Sequence, residues 1–278
     1  MPDLRSILVH VDAGARCTSR LTFARALAAQ HDAQVSALMA LGPRLVDLPF
    51  AHAAGHEAAA TMQSIDADRH RRGRASFDTA NRAPGAAMHW DDAGAEDGVG
   101  TFVEAALCHD LVVLGQHDPA DASGIGVPSD FVETVVLGSG RPTLVLPCAG
   151  EYEQADRIVL IAWKPGREAA RAVDGALPLL RAARQVHVLR AVEVDASPEL
   201  SVGALEAHLE RHGVVAPVVQ HGRNGPLSGQ ALLELADDVG ADLLVMGCYG
   251  RSRAAERLLG GVTRTVLQSM RLPTLFAH

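Results

Sequence analysis

The sequence contains an internal duplication, which constrains the fold more than any single motif does. Residues 110–115 (DLVVLG) recur at 242–247 (DLLVMG), and residues 141–146 (RPTLVL) recur at 272–277 (LPTLFA). The two pairs are offset by 132 and 131 residues. This distance is too long for a solenoid repeat and is typical of one domain present in two tandem copies.

The joint between the copies is predicted near Gly150, where the apolar periodicity lapses. We therefore expect one domain over residues 1–150 and a second over residues 151–278. The first strand of each copy supports this division, because ILVHVD at 7–12 and VLIAWK at 159–164 are both followed by a helical pattern rich in Ala and Arg.

Strand and helix patterns alternate in both copies, which predicts an α/β fold with two tandem, doubly wound, parallel five-stranded sheets of the Rossmann-like class. Such sheets bind ligands at the carboxyl ends of the strands, where the strand order reverses between strands one and four. Before its third strand, the first copy is predicted to have a long helix over 53–80, and the second copy a shorter one over 199–211. Strands are predicted near 6–11, 34–39, 86–90, 111–115, 143–147, 158–163, 186–191, 214–220, 243–247 and 273–277.

Composition narrows the classes of function. Hydrophobic residues make up 48% of the chain but aromatic residues only 4%, which favours a core of Ala, Val and Leu between helices and strands. The net charge of −8, without a long basic run, argues against a nucleic-acid partner.

The sequence lacks the usual signals of membrane insertion, secretion and cysteine-based metal binding. No apolar run reaches membrane-spanning length and no signal peptide precedes the first strand, so we expect a cytoplasmic protein without a membrane partner. The four cysteines have no CxxC spacing, which favours reduced thiols and no metal site.

The second copy carries a glycine pattern that predicts an anion site. An apolar strand ends at Gly247, Gly250 follows after two residues, and Gly260 and Gly261 come after nine more, immediately before a helix that starts at Val262. Glycines let backbone N–H groups approach an anion, and the positive end of the helix dipole favours negative charge at the same place.

This spacing resembles the motif of the universal stress protein family. In that family the glycines, with a Ser or Thr after the last of them, hold the phosphates of ATP, while an Asp at the end of the first strand holds the adenine side. The resemblance implies the same sheet architecture as adenine nucleotide alpha hydrolases, a cytoplasmic stress-response role, ATP with magnesium as the ligand, and a protein client that the sequence does not name. Here Gly261 stands in the hydroxyl position.

The resemblance also implies how the copies pair. Single-domain members commonly dimerise through their last strands, so we expect the final strands of the two copies, 143–147 and 273–277, to pair within one chain as an intramolecular pseudo-dimer. The sequence leaves a further homodimer open.

The two copies are predicted to differ in ligand binding. The first keeps the adenine-side carboxylate as Asp12, but its strand-ending glycine is followed by Gln116, His117 and Asp118, and Asp130 precedes the next helix. Carboxylates beside phosphates cost Coulomb energy, so we expect no ATP in the first copy.

In the second copy the glycines match and Lys164 replaces the Asp. Lys164 either reaches a phosphate or faces solvent, and the Pro165-Gly166 turn that follows it favours solvent. Tyr249 is expected to line the pocket. Arg251 either pairs with phosphates or decorates an exposed loop, and the sequence leaves both readings open.

No catalytic residues are predicted, because the chain lacks a P-loop, a G-x-S-x-G elbow and an H-E-x-x-H pair. The leading hypothesis is a nucleotide-sensing or interaction module. Two alternatives remain open, namely slow ATP hydrolysis in the second copy and a scaffold that binds no nucleotide.

Overall fold

The chain folds as an α/β protein with two compact units. The computed structural model describes residues 3–40, 55–91, 98–122, 126–150, 157–190, 198–220, 227–249 and 261–278. One unit comprises residues 4–139, and the other comprises residues 140–278 with the first three residues. None of the helices within the described ranges has the length and apolarity that a membrane crossing needs.

The described strands and helices alternate along the chain. The strands are β1 (Ser6–Val11), β2 (Gln34–Met39), β3 (Met88–Asp91), β4 (Leu111–Gly115), β5 (Thr143–Leu146), β6 (Ile158–Trp163), β7 (Gln185–Arg190), β8 (Val218–Gln220), β9 (Leu243–Gly247) and β10 (Thr274–Ala277). The helices are α1 (Cys17–His31), α2 (Gly55–Arg82), α3 (Val99–Ala106), α4 (Phe131–Ser139), α5 (Arg167–Arg181), α6 (Pro198–Arg211), α7 (Gly229–Asp238) and α8 (Val262–Ser269).

Each unit has a doubly wound sheet. In the first unit the strand order is β3-β2-β1-β4, with all pairs parallel. In the second unit the order is β5-β10-β9-β6-β7-β8, with every pair parallel except β5 and β10. The strand order therefore reverses between β1 and β4 and again between β6 and β9, where a doubly wound fold places its ligand crevice.

The strands next to each crevice are apolar because both faces of the sheet are covered. In β4 and in β9 the first four residues are buried and only the final glycine is partly exposed. Helices α1 and α2 pack together in the first unit, as do α3 and α4, and α7 packs against α8 in the second. Continuous apolar runs of this kind are the mark of buried parallel strands.

The Asp that opens each repeated D-L-x-V motif has a structural role. The Oδ2 atom of Asp110 accepts a hydrogen bond from the backbone N–H of Ser6, and that of Asp242 accepts one from the N–H of Ile158, both at 2.9 Å. Each carboxylate thus ties the start of the fourth strand to the start of the first strand of its copy.

The repeated Pro-Thr motif is also structural. The side chains of Thr143 and Thr274 are fully buried, and each hydroxyl donates to the carbonyl two residues earlier, at 3.1 and 3.2 Å. Both motifs that reveal the duplication in the sequence therefore build the scaffold rather than the crevice.

The α/β fold and most predicted elements are confirmed. The main differences are β3, which begins at Met88 rather than 86, and β8, which is limited to Val218–Gln220 rather than 214–220. The predicted pairing of the two last strands is also confirmed, because β5 and β10 run antiparallel with Leu144 opposite Leu275.

That pairing changes the predicted five strands in each sheet. The unit of residues 4–139 has four described strands, and the unit of residues 140–278 has six, including one antiparallel pair. Because β5 bonds to β10, it belongs to the compact unit of residues 140–278. The repeat boundary at 150 stays a prediction about where the two copies join in sequence.

Candidate functional site

The candidate site of the second copy lies where β6 and β9 end side by side. Ala162 is the register partner of Met246, so the two strands bring Trp163 and Lys164 next to Gly247 and the turn that follows it. Lys164 is exposed, as the sequence predicts.

Gly247 is required by packing between the strand and a helix. A Cβ atom at this position would lie 2.5 Å from the backbone N of Ala169 and 2.6 Å from the carbonyl carbon of Glu168, in the first turn of α5. Such distances are too short for any side chain, so α5 approaches β9 this closely only because residue 247 is glycine. The glycine therefore has a structural function whether or not an anion binds.

The turn after β9 brings its backbone to the start of α8. Tyr249 has a left-handed backbone with φ of 54°, and its N–H donates to Oγ1 of Thr263 at 3.5 Å. Gly261 is the N-cap residue of α8 and, as a glycine, has no side chain of its own to cap the helix. Val262, the first residue of the helix, is partly exposed. The positive end of α8 thus faces the strand end, as the glycine spacing predicts.

Three residues predicted for this site, Gly250, Gly260 and Arg251, lie outside the described residues. The structure therefore brings together Gly247, Tyr249, Gly261 and Val262.

Cys248 fills space beside the site. Its side chain is buried, and its thiol donates to the carbonyl of Ala277 at 3.3 Å. This agrees with a small residue fitted into a tight turn. Sequence reasoning missed its neighbour His278, whose Nδ1 lies 3.1 Å from the carbonyl oxygen of Cys248.

An acidic residue that the sequence analysis did not single out stands at the start of α5. Glu168 pairs with Arg167 at 2.6 Å, and this hydrogen bond lowers the pKa of the Glu168 carboxyl. The sequence did contain a signal for Glu168, because the positive end of the helix dipole stabilises an acidic side chain in the first turn of a helix.

The corresponding crevice of the first copy, between β1 and β4, holds a buried ion pair. Asp12 is only 8% exposed, and its Oδ2 lies 2.8 Å from a terminal guanidinium nitrogen of Arg20, which is itself 3% exposed. The other carboxylate oxygen, Oδ1, accepts from the N–H of Gly14 at 2.9 Å. Burial alone would raise the pKa of Asp12, but Arg20, His10 and the Gly14 N–H together hold it below its usual value.

His10 lies beneath this pair as a neutral imidazole. Burial is the main cause that lowers its pKa to about 4. Its Nε2 lies 2.6 Å from the carbonyl oxygen of Ala40, and because a carbonyl can only accept, Nε2 carries the proton. The ring packs against Phe131 and Phe102, with centroids 4.3 and 5.4 Å away.

Arg20 also fills the space at the end of β4. Its Nε donates to the carbonyl of His10 at 2.8 Å, and a Cβ at Gly115 would lie 2.4 Å from its Nη1. The glycine of the first copy thus makes room for a guanidinium, whereas Gly247 makes room for a helix backbone. Asp12 is engaged by the chain's own cation.

Asp118 and Asp130, the acids predicted to repel phosphates from this crevice, lie in the connection between β4 and α4. The carboxylate of Asp118 accepts from the N–H of Ala120, two residues later, at 2.9 Å. Asp130 is exposed directly before α4. The carboxylate that reaches the turn after β1 belongs to Asp121, whose Oδ2 accepts from the N–H of Ala15 at 2.8 Å.

The comparisons with known proteins point to one family. The model of the universal stress protein family matches residues 156–278. No curated protein sequence matches the chain significantly.

Solved structures share the fold of the whole chain. A universal stress protein from Archaeoglobus fulgidus DSM 4304 is 14% identical, with a TM-score of 0.70 over 99% of this chain and 96% of that chain. A functionally unknown protein from Pseudomonas aeruginosa PAO1 is 16% identical, with a TM-score of 0.57 over 99% of this chain and 92% of that chain. The family model thus confirms the recognition from the sequence for residues 156–278, and the solved structures show the fold of the whole chain.

Proposed function

Residues 156–278 belong to the universal stress protein family, and on that premise we propose that this half of the chain binds an adenine nucleotide where β6 and β9 end. The proposed ligand is ATP with magnesium, and the proposed role is a cytoplasmic stress-response module that passes the nucleotide state to a protein client.

The observation that carries the proposal is the meeting of the β9 turn with a helix whose N-cap residue has no side chain. Tyr249 turns the backbone toward α8, and Gly261 begins that helix without a side-chain cap. Backbone N–H groups at a helix start and the positive end of its dipole together favour phosphate.

The glycine spacing supports the same ligand. Gly250 and Gly260 complete the pattern in the sequence, and a glycine-rich turn allows phosphate oxygens to approach the backbone. Among the described residues, no group of three or more His, Cys, Asp or Glu side chains is placed to hold a metal. The magnesium ion is therefore proposed to arrive on the phosphates.

Two substitutions weaken the proposed site. Lys164 cannot accept a hydrogen bond from ribose or adenine, and Gly261 supplies no hydroxyl to the phosphates. Each missing hydrogen bond is worth on the order of 1 kcal/mol, so the affinity is expected to be roughly ten- to thirtyfold below that of a complete site.

A matched pair of variants at Gly261 tests the proposal. The backbone of Gly261, with φ of −57° and ψ of 149°, has a conformation that any residue adopts, so neither substitution strains the backbone. Asn and Asp both cap helices and have nearly the same shape, but only Asp brings a negative charge. In calorimetric titrations with ATP, we expect both variants to lose affinity, because each new cap competes with the phosphates for the N–H groups of α8. We expect Gly261→Asp to bind at least about tenfold more weakly than Gly261→Asn, because only Asp adds a negative charge.

Two further variants separate nucleotide binding from a scaffold role. Gly250→Val is expected to abolish ATP binding by blocking the backbone approach, whereas the double change Lys164→Asp with Gly261→Ser is expected to tighten it. The packing of Gly247 on α5 favours the scaffold alternative. Equal ATP binding by wild type, Gly250→Val and Gly261→Asp would mean that the glycines serve only the turn. A steady-state phosphate-release assay on the same variants distinguishes binding from slow hydrolysis.

A further inference from the structure

The turn after β1 and the segment after β4 are joined directly across the first crevice. Asp121 belongs to residues 116–122, which follow β4, and its Oδ2 accepts from the backbone N–H of Ala15, just before α1, at 2.8 Å. The strands β1 and β4 are neighbours in the sheet, so this bond spans the point where the strand order reverses. It links residues 106 positions apart in the chain.

Two carboxylates share the start of α1. The N–H of Gly14 donates to Asp12 and the N–H of Ala15 donates to Asp121. A Cβ at Gly14 would lie 3.1 Å from an oxygen of each acid, so both carboxylates flank the same residue. Arg16, the N-cap residue of α1, makes no side-chain cap hydrogen bond there. The two backbone amides that follow β1 are thus both bound by internal carboxylates.

The charged side chains already in the first crevice disfavour the binding of phosphate there. Asp12 is compensated by Arg20 at 2.8 Å, and Asp121 adds a second negative charge beside it. An incoming phosphate would face two carboxylates and a guanidinium that is already paired. Two like unit charges about 4 Å apart repel by about 1 kcal/mol even in bulk water.

The chain is also held farther along the same connection. Gly126 has φ of 118°, and a Cβ there would lie 3.1 Å from the guanidinium carbon of Arg69 on α2. Arg69 is buried and pairs with buried Asp66 at 2.9 Å. Within the connection between β4 and α4, Asp121 therefore contacts the turn before α1, and Gly126 lies against α2.

The second copy has the opposite charge at the matching place. Counted from the strand-ending glycines, Gly115 and Gly247, the residue that corresponds to Asp121 is Arg253. The structure of Arg253 lies outside the described residues. In sequence, the first copy brings its own anion where the second brings a cation.

We infer that Asp121 is a built-in anion which occupies the first crevice in place of a phosphate and fastens residues 116–122 onto the start of α1. It is an autoinhibitory contact that keeps this copy closed to nucleotide. The inference does not depend on whether the second copy binds ATP, because it concerns contacts within residues 4–139.

Hydrogen exchange of the full chain tests this contact. In Asp121→Ala we expect the amide of Ala15 and those of residues 116–122, apart from Pro119, to exchange at least about fivefold faster than in the wild type, because a hydrogen bond to a carboxylate is lost. Asp118→Ala is the matched control, since it removes the same charge from the same segment but a carboxylate that, among the described residues, accepts from the N–H of Ala120 alone. Its Ala15 amide is expected to exchange at the wild-type rate.

Chemical rescue identifies the occupant as a carboxylate. Acetate added to Asp121→Ala is expected to restore protection of Ala15, whereas chloride at the same ionic strength is expected to have no effect. The inference is overturned if Asp121→Ala leaves the exchange of Ala15 unchanged, if Asp118→Ala accelerates it equally, or if acetate and chloride act alike.

Discussion

The two crevices share a scaffold and differ in which charges fill them. In the first, Asp12 is bound by Arg20, and the guanidinium reaches the strand-ending glycine Gly115. In the second, the residues at the places of Asp12 and Arg20 are Lys164 and Ala172.

The second copy has Ala172 where the first has Arg20, and a different group packs against its strand-ending glycine. At Gly247 the space beside the glycine is taken by the first turn of α5 rather than by a side chain. The scaffold residues kept their roles, since Asp110 and Asp242 make the same hydrogen bond. The comparison teaches that a few charged positions can change what fills the crevice of a duplicated domain, while its sheet stays the same.

The largest effect is expected from removing the internal cation. Arg20→Met leaves the buried carboxylate of Asp12 without its partner, which typically costs about 3–5 kcal/mol of unfolding free energy. Arg71→Met is the control, because the Arg71 side chain is 73% exposed and its ion pair with Asp68 is expected to contribute less than about 1 kcal/mol. Urea unfolding of both variants checks this, and equal losses would contradict the role of Arg20.

The next effect is a loss of stability in acid that depends on His10. The pKa of His10 is lowered to about 4 in the folded protein from an ordinary value of 6.5. Between these values the unfolded chain binds a proton that the folded protein does not, so stability falls as pH falls from 6.5 to about 4. The slope is about 1.4 kcal/mol per pH unit for one such group.

His10→Gln should flatten that slope, because an amide can still donate to Ala40 but does not titrate. The difference in unfolding free energy between the wild type and this variant, measured by urea unfolding from pH 7 to pH 4, reports the one residue. A difference that does not change with pH would refute a buried neutral imidazole.

A smaller effect separates the two kinds of glycine packing. Gly247→Ala places a methyl group 2.5 Å from the backbone of α5, which must move, and such overpacking typically costs about 1–3 kcal/mol. In Gly203→Ala the methyl group meets nothing within 4 Å on helix α6, so a gain of about 0.5–1 kcal/mol is expected. Thermal unfolding measures both, and a neutral Gly247→Ala would remove the packing argument.

The smallest effect concerns the hydroxyl at the start of α8. Thr263→Val removes the acceptor for the N–H of Tyr249, and Thr263→Ser retains it. A loss of about 1 kcal/mol, or roughly fivefold in ATP affinity, is expected for Val alone. Titration calorimetry decides this, and equal affinities of the two variants would show that the turn does not depend on the hydroxyl.

Much of the fold could be predicted from the sequence because buried parallel strands leave continuous apolar runs. The bounds of β1, β2, β4, β6 and β9 agree with those predictions. The shortest strands were less well defined, since β8 has only three residues to carry a pattern.

The filling of the first crevice was missed because it depends on side-chain direction. The sequence predicted from Asp118 and Asp130 that the first crevice does not bind ATP, but not that Arg20 would reach Asp12 from the helix. A signal did exist, since Arg20 lies on the same helical face as the buried residues Ala24 and Leu27. Asp121 gave no such signal, because its partner Ala15 is distant in the sequence.

The most direct test of the unequal crevices is hydrogen exchange of the whole chain with and without ATP. Protection is expected in residues 247–249 and 261–263, where the turn after β9 meets α8, and no change is expected in residues 12–15 and 115–121. Protection of residues 12–15 and 115–121 instead would contradict the account, because it would place the nucleotide in the crevice that Arg20 and Asp121 already fill.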